Sequence, residues 1–78
     1  MKRQRNIIPL TDSFKELVEK CLNPEFSIRN NLIEFEKMAH KYRAVFYIRK
    51  KSGGCGMEAT ISANSISDLE KKVIVFIS

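Results

Sequence analysis

The stretch YRAVFYIRKKSGGCGMEATISA, Tyr42 to Ala63, holds two runs of alternating residues on either side of a glycine-rich turn. In a strand successive side chains point to opposite faces, so Tyr42, Ala44, Phe46 and Ile48 share one side. Arg43, Val45, Tyr47, Arg49 and Lys51 share the other. On the return run Met57, Ala59, Ile61 and Ala63 oppose Glu58, Thr60, Ser62 and Asn64. Bringing the two apolar sets onto one face fixes a hairpin, because a one-residue slip would send one set into water. A four-residue loop, Gly53-Gly54-Cys55-Gly56, satisfies that parity and sets Lys51 opposite Glu58, Ile48 opposite Ile61 and Phe46 opposite Ala63. A six-residue loop also fits but loses the opposed charges.

A lone two-stranded hairpin is unstable in water, so its apolar face requires a cover. Helical signals on both sides supply one. Phe14, Leu17, Val18, Cys21 and Leu22 fall at helical spacing. Thr11, Asp12 or Ser13 can cap the start of that helix, Ser13 and Glu16 having capping-box spacing. Asn23-Pro24 ends it, since a residue before proline avoids helical dihedrals. The same dipeptide suits the start of a second helix over about 24–40, with Ser27 or Asn30 as alternative starts and a stripe of Ile28, Leu32, Phe35 and Ala39. His40 would lie near its C-terminal end, where the helix dipole favours positive charge.

After the hairpin, Ser65 and Asp68 are spaced as an N-cap and its partner, and Ile66, Leu69, Val73, Phe76 and Ile77 follow helical spacing. Val73 to Ile77 is also the strongest strand-forming run in the chain, so an edge strand at 73–77 competes with a helix through 66–77. The expected fold is α+β, a small single domain of order α-α-β-β-α with the hairpin covered on one face by helices. Residues 1–10 form a basic tail and lead-in, and residues 11–78 the domain. At 78 residues the chain holds one modest core.

Charge locates a binding face. Of the net +5, +3 lies in residues 1–5 (Lys2, Arg3 and Arg5) and +4 in residues 42–57 (Arg43, Arg49, Lys50 and Lys51), which leaves −2 for the rest. Two local basic patches are the electrostatic footprint of a polyanion partner. Arginine and lysine suit phosphates, Tyr47 offers a ring for stacking, and the glycine turn can bring backbone N–H groups close to a phosphate. The expected nucleic-acid-binding residues are therefore Lys2, Arg3, Arg5, Arg43, Tyr47, Arg49, Lys50 and Lys51. The tail, lacking apolar anchors beyond Met1, is expected to act by charge alone. A helix-turn-helix reader is disfavoured, since Arg29 and Lys37 are matched by Glu25, Glu34 and Glu36 on the segment that would enter the groove.

In outline, basic strands followed by a helix resemble double-stranded-RNA-binding domains and the arm-binding domains of phage integrases. The resemblance covers the second half of the chain, with Lys71-Lys72 as a loose counterpart of the lysine pair that opens the last helix in the RNA-binding family. It implies a nucleic-acid partner and transfers no residue roles.

Other chemistry is sparse. Cys21 and Cys55 are too few for a disulfide scaffold, and with His40 they fall short of a four-ligand zinc site. Cys21 is expected in the core and Cys55 accessible on the loop. No P-loop, paired-carboxylate site or dinucleotide fingerprint is present, so neither catalysis nor a cofactor is expected. The charged start and the lack of a long apolar run lead to the expectation of a cytoplasmic protein with no membrane partner. The leading reading is a nucleic-acid-binding regulator. The alternative is a protein–protein inhibitor or adaptor of the kind phages and mobile elements encode against host machinery, anti-CRISPR proteins included, whose basic patch would meet an acidic protein surface. Val73, Ile74, Val75, Phe76 and Ile77 offer apolar surface for a homodimer, the commonest symmetric assembly.

Overall fold

The computed structural model describes residues 6–78. Its elements are β1 (Ile7–Ile8), α1 (Asp12–Cys21), β2 (Phe26–Lys37), β3 (Tyr42–Lys50), β4 (Met57–Ala63) and α2 (Ile66–Ile77). The four strands form one antiparallel sheet in the order β1-β2-β3-β4. Both helices lie on one face of it, and the α+β class read from the sequence holds. Ile28, Ile33, Phe35, Ala44, Phe46, Ile48, Ala59 and Ala63 from the sheet meet Phe14, Leu69, Val73 and Ile77 from the helices in a single core.

The two helices have the caps their sequences offer. Thr11 accepts a hydrogen bond from the Phe14 N–H at 3.1 Å, so Thr11 rather than Ser13 starts α1. Ser65 accepts from the Asp68 N–H at 3.2 Å and starts α2. The Val73 to Ile77 run stays helical, because Leu69, Val73 and Ile77, spaced four apart, point together into the core. Strand propensity loses there to burial. Val73 and Ile77 are accordingly core residues and cannot belong to a dimer surface. Ile74 is half-buried, and only Val75 and Phe76 remain exposed.

Residues 24–40 depart from expectation. They form a turn at Pro24 and Glu25, the long strand β2 and the start of the turn after it, not a helix, which removes the helix-turn-helix reading and places His40 in the β2–β3 turn. Asn23 is still a cap of a kind: its side chain accepts from the Glu25 N–H at 2.9 Å in an Asx turn that leads into a strand. The core positions of β2 are Ile28, Ile33 and Phe35, whereas Leu32 is exposed. A step of five residues from Ile28 to Ile33, both inward, fits no regular strand, and a bulge resolves it. Ile28 pairs with Ile48 and Ile33 with Phe46, so four residues of β2 span one residue of β3. Within the bulge Asn30 and Asn31 have φ of 55° and 53°, the left-handed region that asparagine tolerates best among residues with a side chain. Asn30→Val is expected to cost about 1–2 kcal/mol, and Asn30→Gly nearly nothing. Urea melts of the two variants measure the difference.

The hairpin keeps its predicted faces and changes its register. Phe46 lies opposite Ala59 rather than Ala63, Ile48 opposite Met57 rather than Ile61, and Glu58 opposite Tyr47 rather than Lys51. A slip of four residues preserves the parity of every side chain, so the coincidence of apolar faces cannot detect it. The residues freed near the turn are taken by β2. Ser27 pairs with Arg49, Phe26 with Lys50, and the Lys51 N–H donates to the Glu25 carbonyl at 2.8 Å. The lead-in is also partly structured. Ile7 and Ile8 pair with Glu36 and Phe35, and Ile8 and Leu10 pack against the core. Lys2, Arg3 and Arg5 lie outside the described residues.

Candidate polyanion cleft at the turn end of the sheet

The sheet face turned away from the helices carries the polar sets of all three long strands, and their order decides where charge is available. Farthest from the glycine turn, Ile7, Glu36, Arg43 and Ser62 form one cross-strand row. Glu36 is buried there, and Arg43 Nη2 donates to its Oε2 at 2.9 Å. Arg43, among the expected binding residues, is paired with this buried carboxylate while its side chain stays partly exposed. The middle row, Glu34, Val45 and Thr60, carries no base. The remaining arginines of this face collect at the turn end, where Glu58 lies opposite Tyr47 as the neighbouring acid.

There a cleft of about 460 Å³ is lined by Ser27, Arg29, Asn30, Tyr47, Arg49 and the turn glycines Gly54 and Gly56, with Ile28 behind. No acid is among its lining residues. Ser27 and Arg49 are cross-strand partners, and Tyr47 lies two residues along the same face of β3. Arg29 stands at the bulge with its guanidinium carbon 5.1 Å from the centre of the Tyr47 ring, a cation–π contact. The opposite wall is the turn. A β-carbon at Gly56 would overlap Tyr47 Cε1, and it would lie 3.0 Å from Tyr47 Cζ and 3.1 Å from Arg49 Cβ. Gly56 is needed for close approach to the ring, while Gly53 and Gly54 are needed for their φ of 121° and 94°.

This geometry changes the expected role of Tyr47. The Arg29 guanidinium rests on its ring and Gly56 of the turn lies against the ring's edge, while the residue stays 36% exposed. Of the other expected residues, Arg49 lines the cleft. Lys50 belongs to the opposite side of the strand and borders a separate groove of about 420 Å³ with Phe26, Met57, Cys55 and Phe76. Lys51 is exposed in the turn itself. Arg29 was not expected, because the helical reading of 24–40 placed it elsewhere. Alternation about Ile28 could have put it on the face of Tyr47.

Both cysteines are free, Cys55 exposed and Cys21 only half-buried rather than in the core. Among the described residues no group of histidine, cysteine and acidic side chains could hold a metal ion. Nor is any helix among them long and apolar enough to cross a membrane. No family model, curated protein or solved structure matches the chain. The outline likeness to RNA-binding and arm-binding domains thus rests on element order alone.

Proposed function

We propose that the chain is a non-enzymatic binding protein that grips the phosphates of a nucleic acid at the turn end of its sheet. The observation that carries this reading is the convergence of Arg29 and Arg49 on one acid-free cleft beside glycine backbone. Guanidinium groups match phosphate oxygens in charge and geometry, and an arginine already ordered on a ring loses less freedom on binding. Because the Tyr47 ring is engaged, recognition is of the backbone rather than of bases, and the affinity depends on salt more than on sequence.

Fluorescence anisotropy with labelled single-stranded and duplex oligonucleotides over a salt series tests this. Each phosphate neutralised contributes about 0.7–0.9 to the logarithmic salt slope, so Arg29→Ala with Arg49→Ala is expected to flatten the slope by about 1.4–1.8. Binding should be similar for unrelated sequences of equal length. An unmodified chain that binds neither form at low salt would refute the proposal and assign the cleft to an acidic protein surface.

A further inference from the structure

We propose that the free edge of β4 is a self-pairing surface, on which a second copy of the chain adds its own β4 in antiparallel orientation with Thr60 on the two-fold axis. β4 is the last strand of the sheet and pairs only with β3 among the described residues. The Ser62 carbonyl accepts from Lys72 Nζ at 3.1 Å, so it points away from β3. In an antiparallel ladder backbone groups alternate in direction, which turns the N–H and C=O groups of Glu58, Thr60 and Ser62 outward together.

The opposite side of the sheet is guarded more fully than β4. β1 covers β2 at Phe35 and Glu36, and the Asn30-Asn31 bulge interrupts the regular course of that strand. β4 has neither a bulge nor a proline, and Glu58 is its sole charge. Long regular edges without such devices pair with other strands. Among the described residues Lys72 is the one guard, and it occupies a single carbonyl.

The sequence of β4 is self-complementary about Thr60. Antiparallel pairing centred there places Glu58 opposite Ser62 of the second copy, Met57 opposite Ala63, and Ala59 opposite Ile61. The outward-facing residues of one copy meet those of the other, so their hydrogen bonds match. No like charges oppose each other, and the threonines form a favourable cross-strand pair. Met57, 56% exposed in the single chain, gains cover on the helix side. The two-fold axis stands perpendicular to the sheet, so both arginine clefts open on the same side of one eight-stranded sheet. The pairing itself does not depend on what those clefts bind.

Sedimentation velocity across a concentration series tests the pairing without any nucleic acid. The unmodified chain should approach twice its 9.0 kDa mass. Thr60→Lys and Thr60→Glu should each be folded by circular dichroism and remain monomeric, since each sets a charge against itself across the axis. Their equimolar mixture should recover the dimer. Val75→Asp, on the exposed side of α2, should leave the dimer intact. A monomer at the highest soluble concentration of the unmodified chain overturns the proposal. So does a dimer of Thr60→Lys alone, or a mixture that stays monomeric.

Discussion

Phe35→Ala is expected to cost about 3–5 kcal/mol, a large fraction of the stability of a domain this small. Phe35 is 1% exposed and lies at the crossing of two layers. Its ring centre is 5.2 Å from that of Phe14, tilted by 50°, and this contact joins α1 to the sheet. Truncation removes a large apolar side chain and leaves a cavity that neighbours on three strands cannot collapse to fill. At about 0.05–0.15 kcal/mol per residue the native state has only about 4–12 kcal/mol in hand. Thermal melts should therefore fall by roughly 15–30 °C. Phe35→Leu, which keeps much of the volume, should lose far less. A melt of Phe35→Ala within a few degrees of the unmodified chain would place this residue outside the core.

Gly56→Ala is the second large effect, and it should strike stability and binding together. The added methyl would sit inside the Tyr47 ring's contact distance and against Arg49 Cβ. Both neighbours belong to β3, so the turn or the ring must move. Overpacking of this kind costs about 1–3 kcal/mol. The displaced ring would also carry Arg29 from the cleft, because the guanidinium rests on that ring. Polyanion affinity measured on the folded fraction should drop with it. Gly53→Ala is the control. Its φ of 121° strains any β-carbon, yet nothing lies within 4 Å, so a cost of about 1 kcal/mol should come with unchanged affinity. Equal affinity for Gly56→Ala and the unmodified chain would show that Tyr47 does not position Arg29.

The parts of this fold that were legible in the sequence are those where a single periodicity governs a whole element. The alternation of Tyr42 to Ile48 and of Met57 to Ala63 is unbroken, and so are both sets of faces. α2 has a cap, a four-residue repeat of large apolar residues and no internal break. β2 reads as a helix in the sequence because its bulge mixes two periods. Ile28, Leu32 and Phe35 imitate a helical stripe, although only Ile28 and Phe35 face inward. The legible sign was Phe26-Ser-Ile28 and Ile33-Glu-Phe35, two alternating fragments on either side of Asn30-Asn31, a pair suited to a left-handed kink. The cleft was half legible for the same reason. Tyr47, Arg49 and the glycines stood out in the hairpin, whereas Arg29 depended on the strand that was missed. The Arg43–Glu36 pair is not legible, because nothing in the sequence brings the two side chains together until β2 and β3 are paired.

The order of strands in the sheet is also their order along the chain, and this shapes the route by which the chain folds. β2, β3 and β4 can zip as two successive hairpins, each closing a short loop, without any segment crossing another. Loop-closure entropy is small at each step, so the meander forms early and at modest cost. The ends behave differently. α1 meets α2 across most of the sequence, and the Asn23 N–H donates to the Ile77 carbonyl at 2.7 Å. That closure spans some fifty residues and must wait for the sheet to bring the two helices together. Before it occurs, the apolar face of the meander is bare, and the interval until the helices dock is when the chain is most open to aggregation.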